Sequence, residues 1–268
     1  MGSFSEISPA KLMRLVGTPE TPVILDVSLA EDAAADPFLV PTARRQSYAE
    51  VLALAPALAG RVVVICHKGG KLSHGAAALL RTAGVAAEVL EGGNLAWREA
   101  GLPRVPAASI PEPGHGTLWV TRHRPKIDRI ACPWLIRRWV DPEARFLFVP
   151  PREVPAVADR FGATPFDIEG VFWSHRGELC TFDTMIGEFG LHSEALDRLA
   201  RVVRGADTDR HALAPEAAGL LAISVGLSRL YGDDLAQLDA GIALYDALYR
   251  WARDGFEEGH DWPADRRA

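Results

Sequence analysis

The chain has 268 residues, 48% hydrophobic and 24% charged, which is typical of a globular protein with one large domain or two ordinary ones. The net charge is −6, and residues 1–105 carry ten basic and ten acidic groups, which argues against a nucleic-acid partner. A signal-peptide pattern and a run of 18 apolar residues are both missing, so no membrane partner is expected. Three cysteines are too few for a disulfide framework. We therefore expect a cytoplasmic protein, whose oligomeric state the composition leaves open.

A proline-rich stretch divides the chain. Residues 101–116 read GLPRVPAASIPEPGHG, with four prolines and three glycines and no hydrophobic periodicity. This composition is typical of a stiff, extended connector. We predict a first domain at 1–104, a linker at 105–116 and a second domain at 117–268.

In the first half, short apolar strands alternate with helical patterns. The predicted strands are 22–28, 62–67 and 86–90, and Ser8 and Gly84 are good start and stop signals for helices. Near-continuous apolar strands that alternate with helices favour a small α/β domain with a parallel sheet covered on both faces.

The second half has a different pattern. Residues 117–121 and 144–150 are predicted strands, and three long helical patterns follow. The first begins after Ser193, and the second runs from Pro215 to near Gly232. The third has one apolar face, formed by Leu235, Leu238, Ile242, Tyr245, Leu248 and Tyr249. The sequence therefore predicts a mostly helical α+β domain.

Cys66 is the candidate catalytic residue of the first half. It ends the apolar strand of VVVICHKGGKLSHGAAALL, before a turn rich in glycine and lysine and then a helix. Backbone N–H groups and a helix N-terminus favour an anion or a thiolate at this point, and the thiolate is the reactive form of cysteine. A buried, inert thiol is the alternative. The candidate anion-binding residues are His67, Lys68, Gly69, Gly70, Lys71 and Ser73.

Residues 5–104 resemble a rhodanese domain. The resemblance rests on ICHKGGKLSHGAAALLRTAGVAAEVLEGGNLAW and on Asp26 in LDVS. It implies a rhodanese-like parallel sheet and a sulfurtransferase whose cysteine accepts sulfane sulfur as a persulfide and passes it to a thiol or another acceptor. The loop is one residue longer than in ordinary rhodaneses, as in related phosphatases and arsenate reductases. Their arginine at the loop end is replaced here by Lys71 or Leu72, and lysine lacks the fork that holds an oxyanion at two points.

A basic stretch opens the second half. Residues 119–138 contain His123, a single acidic residue and six Lys/Arg residues, namely Arg122, Arg124, Lys126, Arg129, Arg137 and Arg138. Such a charge excess can receive an anion or form a solvated helix face. Cys132, among apolar residues, is expected in the core.

Residues 166–189 combine strand-like pieces with histidine, cysteine and carboxylates. Imidazole and carboxylates from adjacent strands can converge on a divalent cation such as Zn, Mn or Fe. His175 and Asp183 are candidate ligands here, and Asp207 is expected on a glycine loop at 204–209. The spacing matches no established metal signature, and a lone histidine in a strand is usually structural.

Four blocks in residues 117–253 resemble the C-terminal domain of chromate-resistance proteins. They are TRHRPKIDRIACPWLIRRWVDPEARFLFVP, SHRGELCTFD, VVRGADT and PEAAGLLAI. The resemblance implies a part in resistance to chromate. Asp128, His175, Asp183 and Asp207 are carried over by position, and their residue types suggest a metal site. Relatives often have histidine where Arg204 stands and glutamate in place of Asp183.

Three functions follow from these features. The first is an enzyme that joins sulfurtransferase-like thiol chemistry to a metal-binding domain, acting on a small oxyanion or a sulfane-sulfur donor. The second is an oxyanion sensor or regulator without catalysis, and the third is a scaffold of two degenerate enzyme folds. No GxGxxG motif follows a strand, so electrons for a reduction would come from thiols.

Overall fold

A computed structural model describes residues 5–259; residues 1–4 and 260–268, at the ends of the two predicted domains, lie outside the described residues. The strands are β1 Glu6–Ile7, β2 Val23–Asp26, β3 Phe38–Leu39, β4 Arg44–Arg45, β5 Arg61–Ile65, β6 Ala86–Leu90, β7 Val105–Pro106, β8 Leu118–Arg122, β9 Arg145–Val149 and β10 Thr164–Pro165. The helices are α1 Pro9–Leu15, α2 Ala30–Ala35, α3 Val51–Leu54, α4 Lys71–Thr82, α5 Gly93–Glu99, α6 Asp128–Leu135, α7 Val154–Phe161, α8 Thr181–Glu188, α9 Glu194–Asp207, α10 Glu216–Leu230 and α11 Asp234–Arg250.

The first half folds around a five-stranded parallel sheet in the order β1-β6-β5-β2-β4. Residues 62–65 of the central strand β5 are all buried, as a β-branched apolar run requires. The predicted α/β class with a parallel sheet is confirmed, and so are its three strands. The sheet register pairs Asp26 with Ile65, which places Asp26 beside Cys66 at the carboxyl edge.

The second half has a three-stranded parallel sheet, β10-β8-β9, followed by four helices from α8 to α11. The predicted mostly helical α+β class is confirmed. Helix α9 begins after Ser193, whose side chain accepts a hydrogen bond from the Leu196 N–H. Four tryptophans are core residues, with at most 6% exposure: Trp119, Trp134, Trp139 and Trp173.

Two local predictions in this half are wrong. Residues 166–180 form a turn-rich loop with two isolated bridges, and residues 181–188 form helix α8. The strands predicted in residues 166–189 are therefore wrong. Most residues of this loop are exposed, so the alternating pattern does not mark the buried face of a strand. The expected glycine loop at 204–209 is also wrong, because Gly205 lies in the last turns of α9. There it faces Ala217, whose Cβ would lie 2.9 Å from an added Cβ.

The predicted linker packs against both halves. Its first two residues form β7, antiparallel to β3, and Ser109 donates a hydrogen bond to the carbonyl of Glu188 at 2.8 Å. The Thr42 N–H also donates to the Trp139 carbonyl at 3.0 Å. One hydrophobic cluster includes Leu12 from the first half and Trp134 from the second. Within 5–259, no helix has the length and apolar character needed to cross a membrane.

Candidate metal centre and cysteine loop

One histidine of the second half faces three carboxylates. The Nε2 atom of His175 lies 3.2 Å from Oδ2 of Asp207, 3.4 Å from Oδ2 of Asp128 and 3.5 Å from Oδ1 of Asp167. One donor atom each from Asp128, His175 and Asp207 lies within 4.8 Å of the others. The structure therefore brings together three of the four metal ligands expected from the sequence.

Each of these side chains comes from the end of an element or from a loop. Asp128 is the first residue of α6, and Asp207 is the last residue of α9. Asp167 follows β10 with a φ of 51°, a left-handed conformation that costs energy in a non-glycine residue. His175 lies in the loop that leads to α8. Helix ends and a loop, rather than adjacent strands, assemble the cluster.

Asp128 is the buried member of the cluster, with 0% exposure. Its Oδ2 accepts a hydrogen bond from the Thr181 N–H at 2.6 Å, whereas its Oδ1 is buried without a hydrogen-bond partner among the described residues. Burial raises the pKa of Asp128 to about 7, although the hydrogen bond with His175 acts to lower it. One oxygen of this carboxylate is thus free to accept a further ligand.

Asp167 is the member that the sequence did not single out as a ligand. Its Oδ2 lies 3.0 Å from Arg122 and 3.2 Å from Arg129, and its Oδ1 accepts a hydrogen bond from Thr181 at 2.9 Å. Burial acts to raise its pKa, but the hydrogen bond with His175 and the charge of Arg129 outweigh burial, so the pKa is lowered. Its position in residues 166–189, which are rich in histidine and carboxylates, could have indicated a ligand, but spacing alone does not distinguish it from the other carboxylates there.

Asp183, the fourth expected ligand, lies in a different environment. One of its oxygens is 3.1 Å from Arg204, and the other accepts the Cys180 N–H at 3.1 Å at the start of α8. Burial raises its pKa. Burial also raises the pKa of the Cys132 and Cys180 thiols well above the ordinary value, which suits core residues.

The three carboxylates keep His175 charged. Their hydrogen bonds, that of Asp128 first, raise the pKa of His175 to about 12. His175 is 40% exposed, and a cleft of about 490 Å³ beside it is lined by Arg122, Asp167 and Ser174. Solvent can therefore reach the cluster from one side.

In metal-free protein, the stabilisation that His175 supplies should fall as the pH rises. Its pKa in the folded chain lies above the ordinary value of 6.5, so the contribution is complete below that pH and is lost as the pH approaches about 12. Urea unfolding after EDTA treatment should show the difference in unfolding free energy between wild type and His175→Gln narrowing above pH 6.5. A difference that widens would contradict this arrangement. His192→Gln, at an exposed Asp197 pair, is the control.

The Cys66 thiol lies at the base of its loop. Cys66 is 4% exposed, and its Sγ accepts the Gly70 N–H at 3.3 Å and lies 3.2 Å from the Ser73 hydroxyl. Helix α4 begins one residue after Gly70, so its N-terminal end is next to the sulfur. Of the six expected anion-binding residues, these two contact the sulfur; His67 is half-buried, and Lys68 and Lys71 are exposed.

The first turn of α5 holds this loop in place. The N–H groups of Asn94 and Leu95 donate to the carbonyls of Cys66 and His67, at 3.1 and 3.0 Å. Gly93 has a φ of 60°, and a Cβ there would collide with the Cys66 carbonyl oxygen. Asn94 also donates to Asp26 at 3.1 Å, so Asp26 helps to position this turn rather than touching the thiol.

The second half of the chain matches a known protein family. Residues 119–252 match the family model described as ChrB, C-terminal domain. Protein ChrB of Cupriavidus metallidurans is 35% identical over 135 residues, which are 50% of this chain and 40% of that protein. The chain therefore covers well under two thirds of this relative's length.

Among solved structures, similarity extends to rhodanese-like proteins. A rhodanese-related protein from Thermoplasma volcanium is 23% identical, with a TM-score of 0.33, over 38% of this chain and 98% of that one. An As–Sb reductase from Leishmania major is 18% identical, with a TM-score of 0.32, over 37% of this chain and 79% of that one.

Proposed function

Because the chain belongs to the family defined by the ChrB C-terminal domain, we propose that it acts in resistance to chromate through a metal centre and a reactive thiol. The metal centre would be formed by Asp128, His175 and Asp207, and the thiol is Cys66. The observation that carries the proposal is the placement of His175 Nε2 within 3.5 Å of three carboxylates, one of them fully buried. The As–Sb reductase activity named for one similar structure is a property of that protein.

The donor set fits a borderline divalent cation. Imidazole nitrogen and carboxylate oxygen bind Zn, Mn and Fe, with bonds of about 2.0–2.2 Å. Such bonds place neighbouring donors of a tetrahedral site roughly 3.4 Å apart, which matches the separations of 3.2 and 3.4 Å around His175 Nε2. The buried Oδ1 of Asp128, which lacks a partner among the described residues, supports the same fit.

The surrounding residues would orient the ligands. Thr181 donates to Asp128 and Asp167, and Arg122 and Arg129 fix the outer oxygen of Asp167. Carboxylates that are hydrogen-bonded in this way hold a ligand set in one geometry. A bound cation would supply a positive charge that polarises an oxygen of a bound oxyanion.

The thiol part of the proposal is sulfur transfer at Cys66. The Cys66 thiolate would attack the outer sulfur of a donor such as thiosulfate, forming a new S–S bond while the donor's S–S bond breaks and sulfite leaves with the electron pair. A second thiolate would then attack the outer sulfur of the persulfide and release the Cys66 thiolate. The Gly70 N–H and the start of α4 support negative charge on this sulfur.

Thiosulfate is expected to add one sulfur atom to Cys66 and to leave the two core thiols unchanged. Cys132 and Cys180 are fully buried, so they serve as controls within the same protein. Intact-mass and peptide-mapping mass spectrometry would locate the added sulfur, and cyanide should remove it. An unmodified Cys66 would contradict sulfur transfer at this residue, and the metal centre alone would then remain proposed.

Growth on chromate tests the biological role. A chromate-sensitive bacterium that expresses the full chain should tolerate more chromate than one with an empty plasmid. Asp207→Asn should lose most of this gain because it removes a candidate ligand at a half-buried site, whereas Asp197→Asn, on the same helix and outside the cluster, should keep it. Equal tolerance with the chain and with the empty plasmid, at matched expression, would contradict the proposed role.

A further inference from the structure

A basic cleft lies beside the cluster and shares Arg129 with it. The loop before α6 and the end of α10 enclose about 420 Å³, lined by His123, Arg124, Lys126, Arg129, Val225, Ser228 and Arg229. Four of these side chains carry permanent positive charge. None of the lining residues, all of them in the described part of the chain, is acidic.

Most of this charge has no carboxylate partner. Within 5–259, the ion pairs of the cleft residues are confined to Arg129 with Asp167, at 3.2 Å. The Arg124 side chain donates to the Ser228 carbonyl at 3.3 Å, and Asp234 accepts the backbone N–H of Arg124 rather than its guanidinium. Uncompensated cations that converge on a concave surface create a positive potential that attracts anions.

Ser228 gives a second, independent observation. It lines the cleft and is 4% exposed, and its hydroxyl oxygen is buried without a hydrogen-bond partner among the described residues. A buried hydroxyl without a partner is costly, so such groups usually face a ligand or ordered water. Here the hydroxyl can donate to an anion that the surrounding arginines attract.

We propose that this cleft binds a ligand with a diphosphate group. Arg124, Lys126 and Arg229 would contact the phosphate oxygens, and the Ser228 hydroxyl would donate to one of them. This site is separate from the metal centre and does not depend on the proposed function.

Charge and volume decide the ligand class. The three cations without a carboxylate partner, Arg124, Lys126 and Arg229, exceed the charge of a single tetrahedral dianion, whereas a diphosphate carries more charge over two linked groups. Arginine contacts phosphate through two parallel N–H donors, and lysine adds a point charge. The cleft volume is also in the range of small-molecule sites rather than of a single small ion.

Calorimetric titration of the full chain tests the proposal. Because diphosphate chelates metals, the protein is first stripped with EDTA and then exchanged into buffer without a chelator. Inorganic diphosphate, ADP and sulfate are titrated into the wild type, Arg229→Gln, Ser228→Ala and Arg152→Gln. Arg229 is an exposed side chain, so its loss should not unfold the protein, and Arg152 is an exposed arginine outside the cleft.

Diphosphate is expected to bind at least about tenfold more tightly than sulfate, and Arg229→Gln should weaken diphosphate binding by roughly tenfold or more. Ser228→Ala should weaken it as well, and Arg152→Gln should leave it unchanged. If ADP binds as tightly as diphosphate, the cleft recognises the phosphates alone. If ADP binds more tightly, the cleft also contacts its nucleoside. Both of these results agree with the proposal. Sulfate binding as tightly as diphosphate, or diphosphate binding that is unaffected by Arg229→Gln, would overturn it.

Discussion

Gly93→Ala is expected to destabilise the protein by about 3 kcal/mol or more and to prevent persulfide formation on Cys66. Gly93 has a left-handed φ of 60°, which costs any other residue roughly 1–2 kcal/mol. The added Cβ would also collide with the Cys66 carbonyl and would lie within 3.0 Å of the Gly69 N–H, so the cysteine loop must move. Urea unfolding and the rate of sulfur transfer from thiosulfate measure the two effects.

Gly84→Ala is the matched control for this change. Gly84 has a φ of 81°, but a Cβ there would meet nothing within 4 Å. It should cost only about 1–2 kcal/mol, the penalty for a left-handed alanine, and should leave the reaction of Cys66 unchanged. Equal destabilisation in the two variants would show that a side chain at residue 93 does not collide with the Cys66 loop.

Asp128→Asn is expected to lower the affinity for zinc by on the order of 100-fold or more. Substituting a residue that only hydrogen-bonds to a metal ligand already lowers metal affinity by about 10–100-fold. Asparagine keeps the shape of the side chain and can still accept the Thr181 N–H, but it removes the negative charge from a fully buried position. Competition with a chromophoric chelator would give the affinity, and circular dichroism would show that the fold is kept.

Asp183→Asn is the matched control, because this carboxylate also comes from a buried part of the second half. Its oxygens are engaged by Arg204 and by the start of α8 rather than by His175. It should retain the wild-type affinity for zinc. Loss of zinc binding in Asp183→Asn with retention in Asp128→Asn would require a different ligand set from the one in the structure.

The sheet of the first half could be predicted because its signals are local. Strand β5 contains the continuous apolar run 62–65, and Ser8 and Gly84 mark helix ends through their own hydrogen bonds and backbone preferences. The loop at 166–180 could not be predicted in the same way. Phe166, Asp167, Trp173 and Cys180 are buried there, and most of the other loop residues are exposed, so the pattern follows individual tertiary contacts rather than a strand period.

The candidate site was predictable in residue types but only partly in geometry. Histidine and carboxylates in one stretch, together with the family resemblance, selected Asp128, His175 and Asp207, which meet in the structure. The sequence could not predict that Asp167, rather than Asp183, would face His175. Each lies near His175 in sequence, and which one faces it depends on where Arg204 and the end of β10 are placed.

If the second half holds a metal as proposed, the metal content of tag-free protein shows it most directly. Elemental mass spectrometry should find close to one Zn, Mn or Fe per chain, as purified or after reconstitution, and almost none in His175→Ala. Protein that binds none of the three metals, or a His175→Ala variant that retains its metal in full, would contradict the account. The cluster around His175 would then be a structural ion-pair network.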